Sequence, residues 1–399
     1  MSADSAPHLH ICLISDQLLP NLLPILVDRP DRVLLLVSDV MQQRGLHTRL
    51  LRMLQTLGIP GEVRAGIADS GLARIEEDAL DVATRLDQAD QSGWRLTLNL
   101  SCGNKLMALA FHRVFVDQLG ERSTVIYTDT AHGCIEVLHP SGQAPRPLGE
   151  QLDLSTALAA QGASISRTRG QSSDAHALLK QRAELTRALA RELSATSNGD
   201  ALGRLNRLAR GALDTRGVVL STARQALDGR LLPAQRQLLE HCAKLGMLRI
   251  DADHIEFLYA EAARYLCGAW LEDYAWLGAH EARPHQYDCG VEVNWDGTGR
   301  GPLPNEFDLL AVHHNRLLIV ECKTAGFGPD PDKAADHLYK LDSLADAAGG
   351  LFGTALLLSA RDLSVELHKR AARLRIKVLD GERILELRDW LHAWQEGRA

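Results

Sequence analysis

Asn305-Glu306-Phe307-Asp308-Leu309-Leu310-Ala311-Val312-His313-His314-Asn315-Arg316-Leu317-Leu318-Ile319-Val320-Glu321-Cys322-Lys323-Thr324 sets two apolar runs about a short polar turn, the pattern of a β-hairpin. If His314-Asn315 is a two-residue loop, Asn tolerates the positive φ that such turns need. Asp308 then falls opposite Glu321, Leu310 opposite Ile319, Val312 opposite Leu317 and Glu306 opposite Lys323. These residues share one face, because side chains alternate with period two. Phe307, Leu309, Ala311, Leu318, Val320 and Cys322 fill the other face, so the hairpin is expected to be central in its sheet and buried on both sides.

Directly opposed Cβ atoms lie about 4.5–5.5 Å apart, and two ionised carboxylates about 5 Å apart repel by about 3 kcal/mol at an effective dielectric near 20. A fold keeps such a pair at the end of an apolar hairpin when a cation compensates it. Hard Mg²⁺ or Mn²⁺ suits carboxylate oxygens. Lys323 points into the same space, where it can orient a water or stabilise charge on a phosphate. The alternative makes Asp308 and Glu321 ordinary polar strand ends with Lys323 capping one, and it leaves their alignment across the register without a cause.

Asp308, twelve residues, then Glu321-Cys322-Lys323 resembles the PD-(D/E)xK nuclease motif, although Asn305-Glu306-Phe307 stands where that family usually has a proline before the first Asp. The resemblance implies a restriction-endonuclease-like α/β domain over residues 256–399, with Asp308 and Glu321 as metal ligands and Lys323 as a catalytic cation. It also implies a catalytic glutamate on the preceding helix. Glu272 fits that place, sharing a helical stripe with Tyr265, Ala269 and Trp276; a solvated glutamate beside the stripe fits the same residues. Downstream, a helix through Tyr339-Lys340-Leu341 ends at Gly349-Gly350, and Ala355–Ser359 reads as a strand. Lys369, Arg370 and Arg373 lie along one helix, suited to a nucleic-acid backbone or to plain solvation.

Upstream, residues 161–255 read as a linker and a winged-helix-like segment. Gln161–Ser173 is small, polar and basic, as linkers are. Helical patterns follow at Ala175–Leu193, Ala201–Leu213 and Ala234–Leu245, then short runs Met247–Ile250 and Ile255–Leu258 about Asp251-Ala252-Asp253-His254. Arg182, Arg187, Arg191, Arg204, Arg207 and Arg210 fit a DNA-binding face or the solvated side of a dimer spacer.

Residues 1–160 alternate strand and helix patterns. Strands are expected at His10–Ser15, Val33–Ser38, Glu62–Ile67, Arg95–Leu100, Thr124–Asp129 and Cys134–His139, and helices at Gln42–Leu57, Ala73–Leu86 and Lys105–Leu119. This alternation implies a mostly parallel sheet, which binds ligands beyond the carboxyl ends of its strands. Polar residues collect there, at Ser15-Asp16-Gln17, Ser38-Asp39 and Asn99-Leu100-Ser101-Cys102-Gly103-Asn104-Lys105. The last offers a glycine turn, a helix start and a lysine to an anion; an ordinary strand-to-helix turn with a solvated lysine fits it equally. It is neither a Walker A loop nor G-x-G-x-x-G.

The Ser15-Asp16-Gln17 turn together with Asn99-Leu100-Ser101-Cys102-Gly103-Asn104-Lys105-Leu106-Met107 resembles the CARF domains of type III CRISPR ancillary proteins, Rossmann-like dimerising modules that bind cyclic oligoadenylates. By position, the resemblance puts Ser15, Asp16, Gln17, Ser38, Ser101, Cys102, Gly103, Asn104, Lys105 and Met107 near the ligand. CARF-like domain, winged-helix-like segment and PD-(D/E)xK domain in this order resemble the CRISPR-associated CARF nucleases. That implies activation by cyclic tetra-adenylate, a homodimer, and DNA or RNA substrates cut with little sequence preference.

Composition agrees with this α/β reading. The chain has 399 residues, 45% hydrophobic and 24% charged, and no apolar run of the length of a membrane span. Met1-Ser2-Ala3-Asp4 lacks a signal-peptide start, and seven scattered cysteines without C-x-x-C read as reduced thiols; a cytoplasmic location is expected. A net charge of −7 argues against an indiscriminate nucleic-acid coat. A ligand-gated transcription regulator would keep sensor and wing but lose the metal triad. A ring nuclease degrading its activator would need a general base beside Ser101 and Lys105, and the sequence offers none.

Overall fold

β1 (His8–Leu13) is buried along its whole length, as the central strand of a parallel sheet must be. The computed structural model describes residues 6–87, 93–194, 201–227, 229, 231–296, 304–326 and 331–399. Contacts divide the chain after Ala163.

In the first unit β1, β2 (Arg32–Val37), β3 (Gly61–Ala65), β4 (Arg95–Asn99) and β5 (Ser123–Asp129) are parallel, and β6 (Cys134–His139) and β7 (Arg146–Pro147) run antiparallel at one edge. The order is β3-β2-β1-β4-β5-β6-β7. It reverses between β1 and β4, so the loops after those two strands open a crevice at their carboxyl ends. All six expected strands are present, with ends shifted by up to two residues.

Gln42–Leu57 is two helices, Asp39–Arg44 and Leu46–Thr56, broken at Gly45, whose φ of +71° ends the first as a left-handed cap. Leu19–Asp28 is a further helix, not among those expected from the sequence; it carries Pro20 and Pro24. Pro20 sits at the tolerated helix start. Pro24 lacks the N–H that would bond the Pro20 carbonyl, and that carbonyl instead accepts from Asn99 Nδ2 (3.0 Å) and Thr128 Oγ1 (2.9 Å). The kink-prone helix is thereby tied to β4 and β5.

His8 and His10 are buried on β1 beside Asp28, which Arg146 pairs at 2.6 Å. His8 Nε2 meets Thr97 Oγ1 at 2.8 Å, while both His10 ring nitrogens lack a partner. Burial, with Arg95 adding to it, lowers His8 to about 4. Burial lowers His10 to about 3, although Asp28 works the other way. The unfolded chain takes up these protons near pH 6.5 and the folded one does not until about pH 4 and 3. The stability present above pH 6.5 is therefore lost as pH falls below it, by up to about 1.4 kcal/mol per pH unit for each histidine. Denaturant melts from pH 7.5 to 5 should show that slope, and His10→Leu should remove roughly half of it. An unchanged slope in that variant would contradict the account.

In the second unit β8 (Ala163–Arg167) begins at the boundary. Helices Ser173–Ser194, Ala201–Ala212 and Pro233–Lys244 follow, with a small sheet of β9 (Arg224–Ala226), β10 (Leu248–Asp251) and β11 (His254–Phe257), β11 in the middle. The large sheet adds β12 (Gln286–Trp295), β13 (Asn305–His313), β14 (Arg316–Lys323), β15 (Gly353–Ser359) and β16 (Lys377–Asp380), in the order β16-β15-β14-β13-β12-β8. Part of Gln161–Ser173, expected to be linker, is thus an edge strand: its small polar residues suit a strand with little side-chain burial. Leu185, Leu189, Leu238 and Phe257 share one core with Trp270, Trp276, Leu309 and Leu318, so the winged-helix-like segment packs as part of the catalytic half. Among the described residues no helix is long and apolar enough to cross a membrane, and all seven cysteines are free.

Candidate active site and ligand loops

The β13–β14 hairpin takes the register expected from its sequence: Leu309 pairs with Val320, Leu310 with Ile319, Val312 with Leu317 and His313 with Arg316. His314 and Asn315 form the turn with φ of +47° and +58°, the two positive values of a type I′ turn. Both faces are buried: Phe307, Leu309, Ala311, Leu318 and Val320 on one, Leu310, Val312, Leu317 and Ile319 on the other. Neighbours β12 and β15 make the hairpin central.

Asp308 stands where this ladder stops. Its Oδ2 accepts the Cys322 N–H at 2.6 Å, replacing a backbone acceptor and fixing the carboxylate beside β14. Lys323 Nζ lies 2.5 Å from Glu321 Oε1. Glu272 projects from the first turn of the helix Trp270–Ala282 and is half-buried. The expected stripe through Tyr265 and Ala269 needs correction, since Tyr265–Ala269 forms a π-helical turn ahead of this helix. A Cβ on Gly268 would meet Thr324 Oγ1 at 2.7 Å; the small residue lets this turn approach the end of β14.

The electrostatics tie the four groups together. Burial, then the Glu321 and Glu272 carboxylates, raise Asp308 well above the usual carboxylate range, against the Cys322 N–H bond and Lys323. Burial raises Glu272 to about 7; Arg169 pulls it down, while Glu306, Asp273 and Glu321 push it up. Burial disfavours the Lys323 charge, but Glu321 and Asp308 outweigh it and raise its pKa. Three carboxylates thus gather here, with Lys323 beside Glu321 and Arg169 beside Glu272 as the neighbouring cations. Asp308 and Glu321 bring the kind of oxygen donor that a hard divalent cation takes.

Asp273 and Arg169 were not among the expected site residues, and Arg182 lies elsewhere than expected. Asp273 is fully buried beside Glu272, paired by Arg169 and by Arg182 at 3.3 Å. Arg182, expected on a solvated or DNA-facing surface, is buried against the Tyr265 ring at 4.3 Å. Arg187 pairs Glu281 at 2.6 Å, and Arg204 and Arg210 each donate to a backbone carbonyl at 3.0 Å. Lys369 pairs Glu366 at 3.2 Å and Arg370 stacks over Tyr339. The only sequence signal for Asp273 was an acid at a position that the Trp-rich helix buries.

In the first unit the two expected loops meet. Cys102 Sγ donates to the Gln17 carbonyl at 3.2 Å. Ser101 Oγ donates to Asn99 Oδ1 and accepts the Thr128 N–H at 2.6 Å, so a side-chain amide and a backbone N–H satisfy the hydroxyl. Gly103 has φ of +77°, and a Cβ there would lie 3.1 Å from Leu13; only glycine turns the chain this closely. Asn104 caps the helix Lys105–Leu119, accepting the Met107 N–H at 2.9 Å. Lys105 is exposed at the helix start. Ser15 and Gln17 are half-exposed, and Asp16 is exposed and paired with Arg44. Ser38 is buried as a helix cap, and Cys102 and Met107 are core residues, so these three support the loops from beneath.

Residues 9–155 match the family described as the Card1 CARF domain, and residues 259–397 the Card1-like endonuclease domain. Among solved structures, protein VC1899 from Vibrio cholerae superposes with a TM-score of 0.82 at 21% identity, covering 98% of this chain and 99% of that one. Can2 from Sulfobacillus thermosulfidooxidans, in complex with cyclic tetra-adenylate, gives 0.76 at 22% identity over 97% of each chain. A type III CRISPR defence DNA nuclease activated by cyclic oligoadenylate gives 0.53 at 16% identity, covering 93% of this chain and 52% of that one. No curated protein matches the chain.

Proposed function

The chain belongs to the CARF-domain nucleases of the Card1 type, and from that premise we propose a homodimeric, metal-dependent endonuclease of type III CRISPR defence, switched on by cyclic tetra-adenylate and cutting DNA or RNA with little sequence preference. The observation that carries the catalytic part is the end of one hairpin, where Asp308 is fixed by the Cys322 N–H and Lys323 lies 2.5 Å from Glu321, with Glu272 on the neighbouring helix start. Asp308 and Glu321 would hold Mn²⁺ or Mg²⁺. A bound ion of this kind supplies Lewis acidity toward phosphate oxygens and the attacking water.

The side chains supply the rest. Lys323 keeps its charge, because its neighbours raise its pKa, and it places that charge beside the phosphate, where negative charge grows during attack. Glu272, half-buried at the helix start, is the carboxylate of the three not given to the ion and can exchange a proton with the attacking water. The Asp308–Cys322 bond holds one ligand rigid. In the sensor, Lys105, Asn104 and Gly103 at a helix start favour a phosphate, and Ser15, Asp16, Gln17 and Ser101 border it. A hydroxyl satisfied as Ser101 is does not favour self-degradation of the activator. The Can2 complex supports cyclic tetra-adenylate over other rings.

The test incubates the protein with labelled DNA and RNA, Mn²⁺ or a chelator, and each cyclic oligoadenylate in turn. Cleavage is expected only with Mn²⁺ and cyclic tetra-adenylate together. Equal cleavage in chelator, or without any cyclic oligoadenylate, would contradict the reading.

A further inference from the structure

The segment that enters the catalytic half is stitched along β12. Ser166 Oγ donates to the Glu292 carbonyl at 3.1 Å, Arg167 pairs Glu292 at 3.2 Å, the Arg169 N–H donates to the Cys289 carbonyl at 2.9 Å, and the Gly170 N–H donates to Asp288 Oδ1 at 3.0 Å. Only the first five residues of that stretch form β8. The remainder delivers one side chain inward. The Arg169 guanidinium contacts Asp273, lies 3.8 Å from Glu272 Oε2 through Nη1, and stacks over Trp276 at 5.4 Å. Its path is kept open by Gly290, whose φ is +54°; a Cβ there would lie 3.0 Å from Arg169 Cβ.

We propose that Arg169 is a positioning residue for Glu272, and that the segment carrying it is a working part of the active site rather than a tether. This rests on the catalytic role given to Glu272 above. The two carboxylates are consecutive on the first turn of one helix. A planar guanidinium can face both at once: Asp273 anchors it in the buried core by a hydrogen bond, and Nη1, 3.8 Å from Glu272 Oε2, draws that carboxylate as an ion-pair partner. Trp276 stacks on the guanidinium, and Gly290 leaves room for the arginine stem. A lysine could hold Asp273 with its single charge, but it could not also steer Glu272.

The test compares wild type, Arg169→Ala, Arg169→Lys, Glu272→Gln and both double variants in full-length protein. It reads kcat and KM at saturating cyclic tetra-adenylate and Mn²⁺, alongside thermal unfolding. Arg169→Ala and Arg169→Lys should each lower kcat by roughly 10–100-fold, the usual effect of losing a group that orients a ligand, with KM for nucleic acid unchanged. Arg169→Lys should keep the wild-type unfolding temperature. In the Glu272→Gln background either change should cost under about threefold more, since residues acting as one unit are not additive. Losses that multiply in the double variants would overturn the inference. If Glu272→Gln itself cuts at the wild-type rate, the catalytic role of Glu272 has failed and the inference falls with it. Should Arg169→Ala fail to fold, the Arg169→Lys pair carries the same comparison.

Discussion

Glu321→Ala should lower cleavage by roughly a thousandfold or more while the protein folds and binds its activator as before. Removing a single donor that stabilises transition-state charge costs roughly 10²–10³-fold, and Glu321 is placed to hold the ion that stabilises that charge. Folding should survive, because Glu321 lies beyond the paired part of the hairpin and its side-chain partner is Lys323. Losing a carboxylate also relieves repulsion on Asp308 and Glu272. Lys323→Ala should be comparably severe in cleavage but should leave Mn²⁺ binding, read by calorimetry, in place. Wild-type turnover in Glu321→Ala with Mn²⁺ present would remove that residue from the site; loss of Mn²⁺ affinity in Lys323→Ala would make the lysine structural.

Lys105→Glu should silence the enzyme at moderate activator concentration. Lys105 is exposed at the start of a capped helix, so the substitution changes charge without disturbing the core. A charge-assisted hydrogen bond is worth about 1.5–3 kcal/mol, roughly 10–150-fold in affinity, and a two-fold dimer would lose two of them. Titration of cyclic tetra-adenylate by calorimetry checks this, and raising the activator should restore cleavage. Unchanged affinity would mean that the loop does not hold a phosphate.

The hairpin was legible because three signals agreed: period-two alternation, a turn pair tolerant of positive φ, and charges that align only in one register. The parallel sheet was legible from short apolar runs between amphipathic stretches. What escaped the sequence was set by tertiary contacts. The helix Leu19–Asp28 forms around Pro24 because Asn99 and Thr128, far along the chain, satisfy the orphaned Pro20 carbonyl. β8 has linker composition and becomes a strand only because β12 offers an edge. Arg182 reads as a surface cation until Asp273 and Tyr265 enclose it. In the loop after β4 Cys102 turns inward, and Met107 is buried on the helix that follows, which a loop sequence without regular period does not reveal.

Sensor and catalytic residues lie in separate units of the chain, so an activator can govern cleavage only by binding one conformational state better than another. Moving a population from almost wholly inactive to almost wholly active takes a differential of about 5.5 kcal/mol. Linkage then requires that a substrate preferring the active state raise activator affinity by the same factor by which the activator raises substrate affinity. The most direct measurement is the affinity of the Glu321→Ala protein for cyclic tetra-adenylate, with and without saturating single-stranded DNA that it cannot cut. The account predicts tighter activator binding when the DNA is present. Equal affinities would contradict it.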